Sequence, residues 1–117
     1  MDFTNIPTAF QSKVRLAILA ALLTGPKDFT TLCKITEATS GNLGRQLELL
    51  EEADYISTQK VTSKKRNKTI YELTPPGKRD FWDYYQLLQQ TFKAAGAESN
   101  ENPLGTEVSP NVQVATT

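Results

Sequence analysis

TSGNLGRQLELLEEADYISTQKVTSKKRNKTIYELTPPG, residues 39–77, changes its periodicity half-way along. In its first half Leu43, Leu47 and Leu50 recur at spacings of four and three. At about 100° per residue these leucines share one helical face. Thr39 or Ser40 can cap the first turn of that helix with a side-chain oxygen. After Tyr55 the period becomes two: ISTQKVT and KTIYELT are rich in β-branched and aromatic residues, and SKKRN separates them. That pattern predicts a hairpin of two strands with a mobile basic tip.

Upstream, SKVRLAILAALLTGP places Val14, Ile18 and Leu22, with Leu19 and Leu23 alongside, on a buried stripe. Alanines favour this helix and Gly25-Pro26 ends it. DFTTLCKIT predicts a short second helix with Phe29, Leu32, Cys33 and Ile35 inward and Asp28 or Thr30 as its cap. Downstream, Thr74 caps a helix whose first positions are Pro75 and Pro76, where a missing N–H costs nothing. Along it Phe81, Tyr85, Leu88, Phe92 and Ala95 follow spacings of four, three, four and three, a coiled-coil seam that Trp82, Tyr84 and Leu87 widen. This exceeds what covers one side of a small core, so Phe81, Tyr85, Leu88 and Phe92 are expected at a homodimer interface shared with Phe3, Ile6 and Phe10.

The order is helix, helix, helix, hairpin, helix. The expected fold is mainly α with a small β-hairpin: a winged helix-turn-helix with a C-terminal dimerisation helix. Residues 1–96 form this domain. The remainder, 97–117, is acidic, poor in large apolar residues, and expected to be a disordered tail.

Composition narrows the function. The 117 residues contain one cysteine, Cys33, and no histidine, so an internal disulfide, the usual zinc and copper ligand sets, and Ser-His-Asp or Cys-His nucleophiles are excluded. The six glycines are scattered and form no phosphate-cradling loop. No enzyme activity, cofactor or metal is expected. With neither a leader-like start nor a long apolar run, a cytoplasmic protein is expected.

Thirteen Lys and Arg balance thirteen Asp and Glu, yet Lys60, Lys64, Lys65, Arg66 and Lys68 fall within nine residues that contain no acid. On a hairpin such a cluster suits the regularly spaced charge of DNA phosphates. The first turns of the third helix offer Thr39, Ser40, Asn42, Arg45 and Gln46, side chains able to bond base edges and phosphates. Glu48, Glu51, Glu52 and Asp54 crowd its other end, where they repel DNA and oppose the helix dipole. The N-terminal end is therefore expected to enter a groove of double-stranded DNA.

These residues resemble winged helix-turn-helix transcriptional regulators of the MarR, ArsR and PadR kind. The likeness rests on VRLAILAALL, FTTLCKITEATSGNLGRQLELLEEADYI and YELTPPGK, covering roughly residues 10–80. It implies a homodimer with each recognition helix in a major groove and each wing along the adjacent backbone. By position, Thr39, Ser40, Asn42, Arg45 and Gln46 match the groove-facing residues, and Lys60 to Lys68 the wing. Two departures stand out. Asp54 replaces a frequent glycine, and aspartate tolerates the left-handed conformation of a helix end. Cys33 is alone, whereas an ArsR-type metal sensor would bring paired thiols. A small-molecule effector in a pocket between the first and last helices is compatible with this reading. The alternative, favoured by overall neutrality, is a winged-helix module that binds protein partners and not DNA.

Overall fold

The structure is a computed structural model and describes residues 1–96. The segment expected as an acidic tail lies outside the described residues. Those described comprise two units, Met1–Tyr84 and the part beginning at Tyr85. Two short 3-10 turns, Phe3–Asn5 and Thr8–Phe10, precede α1 (Lys13–Leu22), β1 (Lys27–Asp28), α2 (Phe29–Thr36), α3 (Ser40–Glu52), β2 (Ile56–Ser63), β3 (Arg66–Leu73) and α4 (Pro75–Ala94). The helix-turn-helix, the hairpin and the closing helix form the winged helix that the sequence predicts.

Side-chain caps start the helices. Ser12 Oγ accepts from the Arg15 amide at 3.2 Å, Asp28 Oδ1 from Thr31 at 2.8 Å, and Thr39 Oγ1 from Asn42 at 3.2 Å. Thr74 Oγ1 accepts from the Gly77 amide at 3.1 Å while donating to the Asp54 carbonyl at 2.6 Å. Asp54 itself is left-handed, φ 63°, as its position at the end of α3 requires.

Ile18, Leu19 and Leu22 of α1, Leu32 of α2, and Leu43, Leu47 and Leu50 of α3 are buried with Ile56 and Leu73 of the sheet. Each contributes about 1.5–3 kcal/mol by leaving water. Two residues expected inside are exposed. Leu23 follows the last helical residue of α1 and begins the turn to Gly25. Ile35 lies beside the inward stripe of α2, which runs through Phe29, Leu32, Cys33 and Thr36.

Phe10 is a further correction. It is buried, with ring centroids 5.8 Å from Tyr55, 6.0 Å from Phe81 and 5.0 Å from Tyr84, so it belongs to the core and not to a subunit interface. Phe81, half-buried, meets Phe10 edge-to-face at 86° and spends part of its surface inside its own domain.

The sheet has three strands in the order β1-β3-β2, not the two of a bare hairpin. Lys27 pairs with Tyr71 and Asp28 with Ile70, antiparallel. Between β2 and β3 the ladder runs from Ile56 opposite Leu73 to Ser63 opposite Arg66. The tip is therefore a two-residue turn, Lys64-Lys65, with φ of 49° and 67°, the sign pattern of a type I′ turn. The expected five-residue mobile tip is replaced because Ser63, Arg66 and Asn67 join the ladder.

Candidate nucleic-acid interface

Burial of three leucines on one side of α3 leaves the opposite side to solvent, with Asn42 and Arg45 exposed and Gln46 half-buried. The first turn of α3 carries no acid, and the Asn42 amide in it donates to the Thr39 cap. Arg45 Nη1 lies 3.6 Å from Glu48 Oε1 with both side chains largely exposed, 61% and 68%. Water screens such a pair to a few tenths of a kcal/mol or less, so Arg45 can exchange Glu48 for another acceptor. Thr39 has a structural task as the cap. Gln46 is held on both sides: its Oε1 accepts from Arg15 Nη1 at 2.6 Å and its Nε2 donates to Asn42 Oδ1 at 3.0 Å.

The hairpin distributes its bases over two faces. Residues opposite one another share a side of the sheet, and that side alternates along the strand. Ile56 with Leu73, Thr58 with Tyr71 and Lys60 with Thr69 share one face. Val61 with Lys68 and Ser63 with Arg66 share the other. Thr58 Oγ1 donates to Glu51 Oε2 of α3 at 3.1 Å, so the face carrying Lys60 is the one turned to α3. Arg66 and Lys68 lie on the reverse, and Lys64 and Lys65 at the end.

The wing has an acid beside it that its own sequence does not contain. Lys68 Nζ stands 3.5 Å from Asp28 Oδ2 because β1 brings Asp28 alongside Ile70. The Thr31 amide and hydroxyl, and then Lys68, hold the Asp28 carboxyl below its ordinary range. Its negative charge is therefore fixed at neutral pH. Asp28 and Arg15 are the two site residues that sequence reading misses. Each acts across the fold, and Arg15 lies 31 residues from Gln46, beyond any local pattern.

A cleft of 410 Å³ opens between β3 and the start of α2, lined by Asp28, Phe29, Thr30, Arg66, Lys68 and Tyr71 among others. Its lining comes from β1, α2 and β3. Among the described residues no group of three or more His, Cys, Asp and Glu could hold a metal ion, and no helix is long and apolar enough to cross a membrane.

A family model for a winged helix DNA-binding domain matches residues 14–92. The chain belongs to that family. This winged-helix chain is 41% identical over 83 residues to an uncharacterized protein of Methanocaldococcus jannaschii, a match covering 68% of this chain and 89% of that one. Its fold is similar to that of a transcriptional regulator homologue from Pyrococcus horikoshii, with a TM-score of 0.69 and 26% identity over 75% of this chain and 88% of that one. A MarR-family regulator structure from Enterococcus faecalis shares the fold at a TM-score of 0.68 and 20% identity, over 79% and 86% of the two chains. The winged-helix chain thus shares its fold with these regulator structures.

Proposed function

We propose that the protein regulates transcription in the cytoplasm as a homodimer that binds duplex DNA sequence-specifically. The N-terminal half of α3 enters the major groove with Asn42, Arg45 and Gln46 towards base edges, and Thr39 and Ser40 near the backbone. Lys60, Lys64, Lys65, Arg66 and Lys68 supply the phosphate contacts of the wing. The observation that carries this reading is the acid-free first turn of α3 with Asn42 and Arg45 exposed, together with a hairpin whose face turned to α3 bears Lys60. Dimerisation is assigned to α4, where Tyr85, Leu88 and Phe92 are 44%, 37% and 54% exposed. Phe81 contributes the surface that Phe10 leaves uncovered.

Selection of bound sequences from random duplex DNA, followed by binding isotherms on selected and scrambled duplexes over a salt series, tests the proposal. Arg45→Ala should cost about 1–3 kcal/mol, mainly on the selected duplex. Lys65→Ala or Arg66→Ala should weaken both duplexes alike and flatten the salt dependence by about one unit per lost phosphate contact. Equal losses from both kinds of variant on both duplexes would mean that α3 reads no bases. Zero net charge and the Asp28 counter-ion of Lys68 favour a second reading, a protein-binding winged helix. Retention of no duplex at low salt would support it.

A further inference from the structure

Arg15 stands outside the recognition helix, yet its guanidinium is the first donor of a polar relay that ends at the groove-facing surface. Nη2 donates to the Thr8 carbonyl at 3.0 Å and Nη1 to Gln46 Oε1 at 2.6 Å. Gln46 Nε2 then donates to Asn42 Oδ1 at 3.0 Å. The direction of this chain follows from chemistry. A guanidinium has donors only, so the atom of Gln46 that faces it must be the oxygen; the amide nitrogen is then turned towards Asn42 and can be met only by an oxygen. Asn42, which is exposed, is left with its NH2 group as the outward end. Without Arg15 both amides could flip, since oxygen and nitrogen are nearly equal in size.

Resting on the DNA-binding reading above, we propose that Arg15 is a positioning residue for specificity: through Gln46 it sets Asn42 to present hydrogen-bond donors to the major groove. Donors match base edges rich in acceptors, N7 of either purine, O6 of guanine and O4 of thymine, and mismatch the amino group of cytosine. The second lone pair of Asn42 Oδ1 still allows an adenine amino group to bind beside N7. Because two nitrogens of one rigid fork hold the Thr8 carbonyl and Gln46 together, the relay also fixes where α3 stands against the N-terminal segment. Arg15 does this without touching DNA, so its loss should blur the base preference and leave phosphate binding intact.

The test uses the full chain, a duplex selected by the wild type, and a scrambled duplex of equal length. Arg15→Met keeps the length and apolar stem; Arg15→Lys keeps the charge but not the fork. In Arg15→Met the ratio of scrambled to selected dissociation constants should fall about tenfold, with the scrambled affinity and the salt slope unchanged. Arg15→Lys should fall in the same direction. In the free protein, the NMR signals of the Gln46 and Asn42 side-chain amides should shift in both variants. Equal losses on both duplexes with a flatter salt slope would overturn the inference, because Arg15 would then be a phosphate contact. An unchanged ratio in both variants, or full wild-type behaviour of Arg15→Lys, would overturn it as well. Should Arg15→Met fail to fold, Arg15→Lys and its amide signals carry the decision. A wild type that binds no duplex would instead overturn the proposed function, while the amide signals would still report whether the relay exists.

Discussion

Gly77 packs against the carbonyl of Tyr55 so closely that an added Cβ would overlap its oxygen, and the same tyrosine's hydroxyl donates to Asp80 Oδ2 at 2.6 Å. The end of α3 and the start of α4 are thus joined by one residue's two ends. Gly77→Ala gains helix propensity but must push backbone against backbone, so a net loss of about 1–3 kcal/mol is expected. Thermal unfolding would register this as a fall of roughly 4–8 °C per kcal/mol. Gly44→Ala is the control. Its Cβ would meet nothing, and it should gain about 0.5–1 kcal/mol.

The Tyr55 hydroxyl gives the fold an alkaline limit. Burial first, then the hydrogen bond and charge of Asp80, raise its pKa well above the ordinary value of 10. Above about pH 10 the unfolded chain releases this proton while the folded chain keeps it, so stability falls as pH rises. Tyr71 is raised likewise by burial and then by Glu51. Tyr55→Phe should cost about 1–2 kcal/mol at pH 7 and reduce the slope above pH 10 by up to about 1.4 kcal/mol per unit. Asp28 acts at the other extreme: its lowered pKa stabilises above about pH 4, and that contribution is lost as pH falls. With no histidine in the sequence, stability should be nearly level from pH 6 to 8. Denaturant titrations over pH would check each limb.

Local chemistry explains what was legible beforehand. Leu43, Leu47 and Leu50, the Thr74 cap before two prolines, and the switch to period two after Tyr55 are signals carried within a few residues, and each appears where expected. β1 has two residues and no periodicity, so only its pairing with β3 reveals it. The turn at Lys64-Lys65 was hidden for the opposite reason. Neither residue favours a left-handed conformation, and the strands' register overrides that preference. Phe10 reads as a surface aromatic until Tyr55, Phe81 and Tyr84, distant in sequence, enclose it.

Polar replacement of Leu88 and Phe92 tests the subunit interface. Both are exposed, so neither change should alter monomer folding by more than about 0.5 kcal/mol. Sedimentation should show monomers. Affinity for a duplex with two half-sites should fall far more than affinity for one half-site, because linked heads multiply their binding. A variant that remains dimeric would move the interface elsewhere.

The wing's tip sets charge against backbone conformation. Left-handed Lys64 and Lys65 cost about 1–2 kcal/mol each, and Asn-Gly is the pair that this turn prefers. Lys64→Asn with Lys65→Gly should therefore stabilise the fold by about 1 kcal/mol or more, while binding to selected and scrambled duplexes weakens together and the salt slope flattens by one to two units, about one per lost phosphate contact. Asp28→Asn should act in the reverse direction. Asparagine still caps α2, so folding is kept, but Lys68 loses its counter-ion and is released to phosphate. Affinity for both duplexes should rise and the salt dependence steepen. Isotherms at several salt concentrations, paired with unfolding curves, separate the two effects. A turn variant that is more stable yet binds as the wild type would show that the tip meets no phosphate, and would leave the wing's contacts to Lys60 on one face and to Arg66 and Lys68 on the other.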